Sequence, residues 1–338
     1  MRHFEFWPPR LFELPYYLVL LALCARHRLP PLHLAKANYA LDHGELALGS
    51  KYDTQMAFEQ SRFPATMLLR DSASETVAAA AEFAKRHGFP LILKPDIGAV
   101  GKGVVKVRDQ GALARAARQI NTPHLLQTFV AEPEEFGVFY VRKSGVGQIS
   151  GINRKHFPEV TGNGRDTIDQ LARRHERYSE HWPMFLKYLA TDRVPAAGER
   201  VRLSFVGSHT MGCRFTNDTS LGTPALLRAI DAVCASQPGF NFGRLDVRAA
   251  SPEALQAGSF TIIEVNGVAS LPAHMFDPDH SLWQGYRIFF EHARHMTEVA
   301  AEHREQAMEL LPFVSLLRKA RRNARTLDAL QEAVVRGD

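Results

Sequence analysis

Cysteine is scarce in this chain of 338 residues. Cys24, Cys213 and Cys234 are the only three, and none lies in a C-x-x-C pair. An odd number without that spacing argues against a disulfide framework and against a zinc knuckle. The sequence also lacks H-E-x-x-H and G-x-S-x-G, so it predicts no hydrolase of either type, and His292 and His295 are expected at a helix surface. These absences favour a reducing, cytoplasmic location.

Long hydrophobic runs are missing as well. The one membrane-like run, Leu14 to Ala25, has 12 residues, and as a helix it would reach about 18 Å against a hydrocarbon core of about 30 Å. A signal peptide is disfavoured, because Arg26 and Arg28 stand where small cleavage-site residues are needed. The run is either a buried helix of an N-terminal subdomain or an interfacial or partner-binding helix. Both readings stay open, because aromatic residues crowd around it: Phe4, Phe6, Trp7, Phe12, Tyr16 and Tyr17.

No excess of one charge sign marks the chain. Lysine and arginine number 41 against 36 acidic residues, which gives a net charge of +5. This is too mild and too dispersed to predict nucleic-acid binding, and an anionic small ligand suits it equally well. The basic stretch near the end is expected to be a solvated helix face rather than a nucleic-acid or lipid contact. That stretch comprises Arg318, Lys319, Arg321, Arg322 and Arg325.

The periodicity of the apolar residues, together with helix-capping residues and glycines, predicts an α+β organisation. A helix begins with Ser72 as its cap and ends at Gly88, and a hairpin follows from two short strands at 89–95 and 104–107. Asp109 caps the next helix, and a strand at 125–130 ends this first subdomain. Further strands are predicted at 135–142, 201–207, 209–215, 243–249 and 260–267, with helices at 167–174, at 224–236 and from Ser281 onward.

The hairpin connection is unusually rich in glycine. The Walker pattern fails there, because Gly103 follows Lys102, and the glycines at 98, 101 and 103 do not form the dinucleotide fingerprint. Backbone N–H groups of such a loop can still hold a phosphate, although a tight structural turn explains the glycines equally well. Lys94, at the end of the preceding strand, adds a positive charge that favours a nucleotide.

Polar residues interrupt two later apolar strands. In GRLDVR, Arg244 and Asp246 share one face, and in IIEVNG, Glu264 and Asn266 do the same. If the strands are neighbours, their oxygen atoms form the hard ligand set that Mg²⁺ prefers when it shares substrate phosphates. Arg244 could hold a phosphoryl oxygen. The alternative is a solvent-facing sheet surface, although Asp and Asn are poor strand formers.

Taken in order, these segments resemble the ATP-grasp superfamily, as in D-alanine:D-alanine ligase and cyanophycin synthetase. The resemblance rests on PLILKPDIGAVGKGVVKV, LLQTFV followed by EPEEFGVFYV, GRLDVR and IIEVNG, and it covers roughly residues 50 to 295. RKHFPEVTGNGRDTIDQL is similar to a segment of the cyanophycin synthetase group. A D-alanine ligase itself is not expected, because the N-terminal part is short and contains no recognisable acceptor-binding loop. The sequence also departs from carboxylate-amine ligases near Leu271, where a polar or acidic residue of the acceptor site is expected.

The resemblance implies a role for each matching residue. Lys51 and Lys94 would contact ATP phosphates under the loop that contains Gly98, Gly101 and Gly103. The hinge of Gln127, Thr128, Phe129 and Val130 would read adenine, and Glu135 would hold the ribose hydroxyls. Arg244 and Lys155 would be catalytic, with Arg154 as the competitor of Lys155. Asp246, Glu264 and Asn266 would bind one or two Mg²⁺ ions, or Mn²⁺ in their place.

The implied fold is an α+β ATP-grasp fold in which two subdomains grip ATP beside a short N-terminal subdomain. The expected boundaries are 1–60, 61–130 with the glycine-rich loop, 131–298 with the metal site, and a helical tail at 299–338. The implied activity joins a small carboxylate to an amine through an acyl phosphate and releases ADP. A kinase, a thiol ligase and a non-catalytic nucleotide-binding protein are the alternatives. No nucleic-acid partner is expected, whereas a homodimer and a membrane or protein contact through the N-terminus stay open.

Overall fold

The described residues form two main antiparallel sheets with helices packed against them, and residues 159–161 and 200–202 form a separate two-stranded sheet. The computed structural model describes residues 4–47, 49–98, 101–179, 191–204, 206–208 and 212–323. Within these ranges, no helix is both long enough and apolar enough to cross a bilayer. The N-terminal part contains helix α1 (Pro9–Arg26) and, after two 3-10 helices (Pro31–Asn38 and Asp42–Glu45), helix α2 (Lys51–Met56).

The smaller sheet has four strands in the order β1-β4-β2-β3, each antiparallel to its neighbour. Alternating apolar side chains from the strands and the inner faces of two helices share one core, which includes Leu69, Leu91 and Leu113. The predicted glycine-rich hairpin is β2 and β3. The elements are β1 (Thr66–Leu69), α3 (Ser74–His87), β2 (Leu91–Pro95), β3 (Val105–Val107), α4 (Gln110–Gln119) and β4 (His124–Thr128).

The larger sheet has five antiparallel strands in the order β11-β10-β5-β6-β9. Two helices cover one of its faces and share a core with Phe136, Tyr140 and Leu245. The long helix at 282–302 packs against part of the opposite face, where His292 contacts the rings of Phe139 and Phe242. The elements are β5 (Glu134–Lys143), β6 (Val146–His156), β7 (Glu159–Thr161), α5 (Ile168–Arg174), β8 (Arg200–Arg202), β9 (Arg214–Asn217), α6 (Pro224–Ala235), β10 (Phe242–Ala249), α7 (Pro252–Gln256), β11 (Thr261–Asn266) and α8 (Leu282–Glu302).

Local sequence signals explain most of these boundaries, with two corrections. Asp109 caps α4 as predicted, because its carboxylate accepts a hydrogen bond from the Ala112 amide. The predicted Ser72 cap of α3 is wrong: Asp71 accepts hydrogen bonds from the Ala73 amide and the Thr76 hydroxyl instead. The strand expected at 201–207 is shorter and lies at Arg200–Arg202. Of the strand expected at 209–215, residues 209–211 lie outside the described residues.

Helix α1 buries one face and exposes the other. Phe12 stacks on Tyr286 and Phe289 of α8, with ring centroids 5.1 and 5.7 Å apart, and Tyr16 stacks on Phe289 at 3.9 Å. The opposite side of α1 is exposed and carries Leu11, Leu14, Leu18 and Leu21. The predicted buried helix is therefore correct for one face, and the exposed leucines leave room for the partner-binding reading. Helix α8 also runs through the boundary expected at residue 298.

Phe12→Ala is expected to lower the free energy of unfolding by about 3–5 kcal/mol, because it removes a buried ring from the contact between α1 and α8. Leu18→Ala is the matched control on the exposed face of the same helix, where Leu18 is 60% exposed, and it should change stability by at most about 0.5 kcal/mol. Urea unfolding measures both variants. Equal losses would mean that α1 does not dock on α8 in solution.

Candidate functional site

A cavity of about 490 Å³ lies between the two sheets. Strands β2 and β4 of the smaller sheet border it on one side, and β5, β6, β10 and β11 of the larger sheet border it on the other. Among the described lining residues, nine are ionisable acids or bases. These are Glu45, Lys51, Lys94, Glu135, Lys155, Arg244, Asp246, Arg248 and Glu264. Five of the nine are cations, so the cavity suits an anionic ligand.

Strands β10 and β11 bring the predicted metal ligands together. The two strands pair antiparallel with Asp246 opposite Glu264 and Arg244 opposite Asn266. All four side chains lie on the face that lines the cavity, which the period of two along each strand requires. The alternative of a solvent-facing polar surface is wrong, because only 3% of Asp246 is exposed.

The opposing carboxylates are held by cations from other elements. Lys51 Nζ, at the start of α2, lies 2.5 Å from Glu264 Oε1. Asp246 receives Arg244 Nε at 2.8 Å and Lys155 Nζ at 3.2 Å. Burial alone would raise the pKa of Glu264, but the charges of Lys51 and Lys94 outweigh it and lower this pKa to about 2. Glu264 is therefore ionised at neutral pH.

Lys94 connects the two sheets through a backbone carbonyl. Among the described residues, its ammonium group forms no ion pair with a carboxylate. Its Nζ donates a hydrogen bond to the Ile263 carbonyl on β11 at 3.1 Å. Burial lowers the pKa of Lys94 to about 8. This ammonium group faces the same cavity as Glu264 and Lys51, and an incoming phosphate oxygen would be its natural partner.

Glu135 lies beneath the loop at Gly207. Its Oε1 accepts a hydrogen bond from Lys155 Nζ at 2.9 Å, and its Oε2 accepts from Arg248 Nε at 3.0 Å. A Cβ atom at Gly207 would lie 2.2 Å from Glu135 Oε1, so only glycine permits this approach. Arg154, the competitor of Lys155, points to the other face and pairs with Glu134 at 2.9 Å, and the cavity is lined by Lys155.

The predicted hinge borders the cavity, but its side chains are partly engaged elsewhere. Gln127 is buried, and its Nε2 donates to Gln55 Oε1 at 3.2 Å and to Thr66 Oγ1 at 2.9 Å. The Val130 carbonyl accepts from Arg248 Nη1 at 3.0 Å. Adenine would therefore meet the backbone and the apolar edges of Thr128 and Phe129, which line the cavity, rather than the amide of Gln127.

The glycine-rich loop lies close to residue 206, on the side of the cavity that the larger sheet forms. Gly101 has a φ of 73°, and a Cβ atom there would lie 1.9 Å from Val206 Cγ1. Gly103 also has a positive φ, whereas Gly98 does not, and a Cβ atom at position 98 would make only an ordinary van der Waals contact with Pro95 at 3.5 Å. Close approach between the loop and residue 206 therefore requires glycine at position 101.

The end of the cavity beyond Asn266 is apolar. Leu271, Ala273 and Phe276 line it, and behind the cavity the Phe276 ring contacts the tilted rings of Phe4 and Phe12 at centroid distances of 6.2 and 5.5 Å. His292, expected at the surface, is in fact buried, and its Nε2 lies 2.8 Å from the Ser270 carbonyl.

His292 is uncharged at the apolar end of the cavity. Burial lowers the pKa of His292, and likewise that of His274, to about 3. Both rings are therefore neutral at physiological pH, and they extend the apolar character of the wall behind Ala273.

Several lining residues were not found from the sequence, among them Glu45, Asn153 and Arg248. Arg248 could have been, because it lies two residues beyond Asp246 on the same strand face. Asn153 lies on β6, which was not predicted. No feature of the sequence around Glu45 indicates that it lines the cavity. In the structure its φ is 57°, its Oε1 atom accepts a hydrogen bond from the Thr54 hydroxyl at 2.6 Å, and burial raises its pKa.

Gly101→Ala is expected to weaken ATP binding about tenfold, because alanine at this positive φ costs about 1–2 kcal/mol and its methyl group would collide with Val206 when the loop closes. Gly98→Ala is the matched control, since the nearest atom to its Cβ is 3.5 Å away, and its ATP affinity should be unchanged. Isothermal titration calorimetry measures both. Equal affinity of the two variants would show that the loop does not close against residue 206.

No protein-family model matches the chain. No curated protein matches it by sequence.

Several solved enzymes are similar to the chain in fold. A D-alanine:D-alanine ligase from Bacillus anthracis is 13% identical with a TM-score of 0.44, over 76% of this chain and 69% of that one. A bifunctional glutathione synthetase from Pasteurella multocida is 16% identical with a TM-score of 0.37, over 71% of this chain and 36% of that one. A carboxyaminoimidazole ribonucleotide synthase from Aspergillus clavatus, solved with ATP, is 12% identical with a TM-score of 0.38, over 64% and 44%. The chain spans less than half the length of the last two. Each of these three similarities has a TM-score below 0.5.

Proposed function

We propose that this protein is an ATP-dependent ligase that joins a carboxylate to an amine through an acyl phosphate and releases ADP and phosphate. The observation that carries the proposal is the facing pair Asp246 and Glu264, buried among cations at the floor of a cavity between two sheets. Such a site is built to hold and transfer a phosphoryl group. The motif resemblance to ATP-grasp ligases supports the same reaction.

In this proposal the nucleotide lies along the cavity from the hinge to the metal face. Lys51 and Lys94 contact its phosphates, and the loop at 98–103 covers them. Residues 127–130 border the adenine, and Glu135 accepts hydrogen bonds from the ribose hydroxyls. Glu135 has lone pairs left for this, because each carboxylate oxygen can accept more than one hydrogen bond.

The donor set of Asp246, Glu264 and Asn266 fits Mg²⁺. Two carboxylates and an amide oxygen are hard ligands, and all three side chains line the same cavity. Those residues contain no cluster of three or more His, Cys, Asp or Glu that could hold a metal, so phosphate oxygens would have to complete the shell. When bound, Mg²⁺ neutralises charge on the transferring phosphoryl group.

The protein's own residues supply the remaining requirements. The carboxylate of the acid attacks the γ-phosphorus of ATP, and the bond to the ADP oxygen breaks. The amine then attacks the acyl carbon of the acyl phosphate, the bond to the phosphate oxygen breaks, and the amide forms as the amine nitrogen loses a proton to the released phosphate or to water. Arg244 and Lys155 stabilise the negative charge that moves between these oxygens. Closure of the glycine-rich loop excludes water, which would otherwise hydrolyse the acyl phosphate.

Lys94 should make ATP binding depend on pH. Only the ammonium form attracts phosphate, and with a pKa of about 8 this form is complete near pH 6.5 and is lost as the pH rises through about 8 to 9. The Kd for Mg·ATP is therefore expected to increase about tenfold between pH 7 and pH 9. Lys94→Arg, which stays charged, is the control and should show a flat profile. A flat profile in the wild type would remove Lys94 from the phosphate site.

Glu264→Ala tests the metal face. The substitution leaves the apolar face of β11 intact, so the protein should fold and retain the adenine contacts, while turnover should fall by roughly 10³-fold or more. Glu291→Ala on the exposed face of α8 is the control. ADP release is measured over amino acids, peptides, fatty acids and aromatic acids. Turnover of Glu264→Ala at the wild-type rate would contradict the proposed metal site.

The products separate the ligase from its alternatives. With an accepted acid and no amine, hydroxylamine should capture the activated carboxyl group as a hydroxamate, and the nucleotide product should be ADP. A phosphorylated alcohol would indicate a kinase, and a thioester would indicate a thiol ligase. ATP binding without turnover of any acid would indicate a nucleotide-binding protein.

A further inference from the structure

Asn153 is a fully buried amide that lines the cavity without a hydrogen bond. It lies on β6 with an exposed fraction of 0%, and neither its Oδ1 nor its Nδ2 atom has a partner among the described residues. Buried amides in proteins are almost always satisfied, and an unpaired one destabilises the fold. Such a group in a cavity is best explained by a ligand that satisfies it.

Asn38 shows how the same residue type behaves when its role is structural. It too has an exposed fraction of 0%. Its Oδ1 accepts hydrogen bonds from the amides of Asn241 and Phe242 at 3.0 Å, and its Nδ2 donates to the Phe242 carbonyl at 2.7 Å. Burial alone therefore does not leave an asparagine unpaired in this fold, and Asn153 differs in facing the cavity.

The strand register places Asn153 in line with the predicted metal ligands. Glu264, Asp246, Gly137 and Asn153 are successive cross-strand neighbours on β11, β10, β5 and β6. With about 4.8 Å between strands, the Cα atoms of Asp246 and Asn153 are about 10 Å apart, and Gly137 lies between them.

Gly137 gives the amide its room. A Cβ atom at position 137 would lie 2.3 Å from Asn153 Oδ1 and 3.0 Å from Arg244 Cδ. The amide of Asn153 and the stem of Arg244 therefore meet above Gly137, next to the carboxylate of Asp246. A side chain at position 137 would remove both from this arrangement.

We propose that Asn153 is a substrate-binding residue whose Nδ2 group donates a hydrogen bond to the carboxyl group of the acid. This inference rests on the proposed ligase function and assigns the acid to the space beside Arg244. The neighbouring cations are paired, since Lys155 contacts Glu135 and Asp246, and Arg244 contacts Asp246. A neutral donor orients a carboxylate without neutralising it, so the oxygen keeps the charge with which it attacks phosphorus. The Oδ1 atom stays available for an N–H or O–H group of a bound substrate.

Asn153→Leu, compared with Asn38→Leu, tests the assignment. Removal of an unpaired amide should raise the Tm of ligand-free Asn153→Leu by about 2 °C or more, whereas Asn38→Leu should lose stability because it breaks four hydrogen bonds. With the acid found by ADP release, kcat/KM for that acid should fall about 10- to 150-fold in Asn153→Leu. The Kd for Mg·ATP should stay within about twofold of the wild-type value, because the nucleotide does not contact this residue.

Asn153→Ala is a second variant, needed because leucine could be too bulky for the space above Gly137. It should show the same decrease in kcat/KM for the acid. The proposal is overturned if either variant uses the acid as well as the wild type does, or if both lose stability to the extent of Asn38→Leu. A wild-type protein that turns over no acid contradicts the ligase function itself. An active wild type with equally active Asn153 variants contradicts only the role of Asn153.

Discussion

Two carboxylates directly opposite each other on neighbouring strands repel, and the site is organised around that repulsion. Asp246 and Glu264 occupy this position on β10 and β11, where like charges destabilise a sheet. Both are largely buried, so their repulsion is only weakly screened by water. The fold therefore has to bring positive charge to them, and it does so from α2, β6 and β10.

This requirement ties together parts of the chain that are far apart in sequence. Lys51 and Glu264 are 213 residues apart, and Lys94 bonds to a carbonyl 169 residues away. Both contacts run from the N-terminal side of the cavity to β11. Phosphate oxygens that enter would compete with the carboxylates for the same cations, so ligand binding and the relative position of the two sheets are coupled. The floor of the cavity thus connects the two sheets at the place where the phosphates are proposed to bind.

Sequence periodicity predicted the elements in which the local signal was strong. The strands β10 and β11 and their shared polar face follow from alternation alone, and the register in the structure agrees with it. Strand β6 was missed, because Gly147, Ser150 and Gly151 interrupt its apolar pattern, and what holds it is pairing with β5 and β9. The buried position of His292 was also missed, since a helix pattern does not reveal which neutral polar group finds a carbonyl partner.

The aromatic residues behind the cavity connect the N-terminal segment to the cavity wall. Phe276 lines the cavity on one side and contacts the rings of Phe4 and Phe12 on the other. A change in the packing of the first dozen residues is therefore transmitted through this ring to the apolar end of the cavity. Residues that never meet the substrate would influence which substrates fit, and their effects would not be additive with those of the lining residues. Selection for a new acid could thus act on the N-terminal helix while leaving the charged floor unchanged.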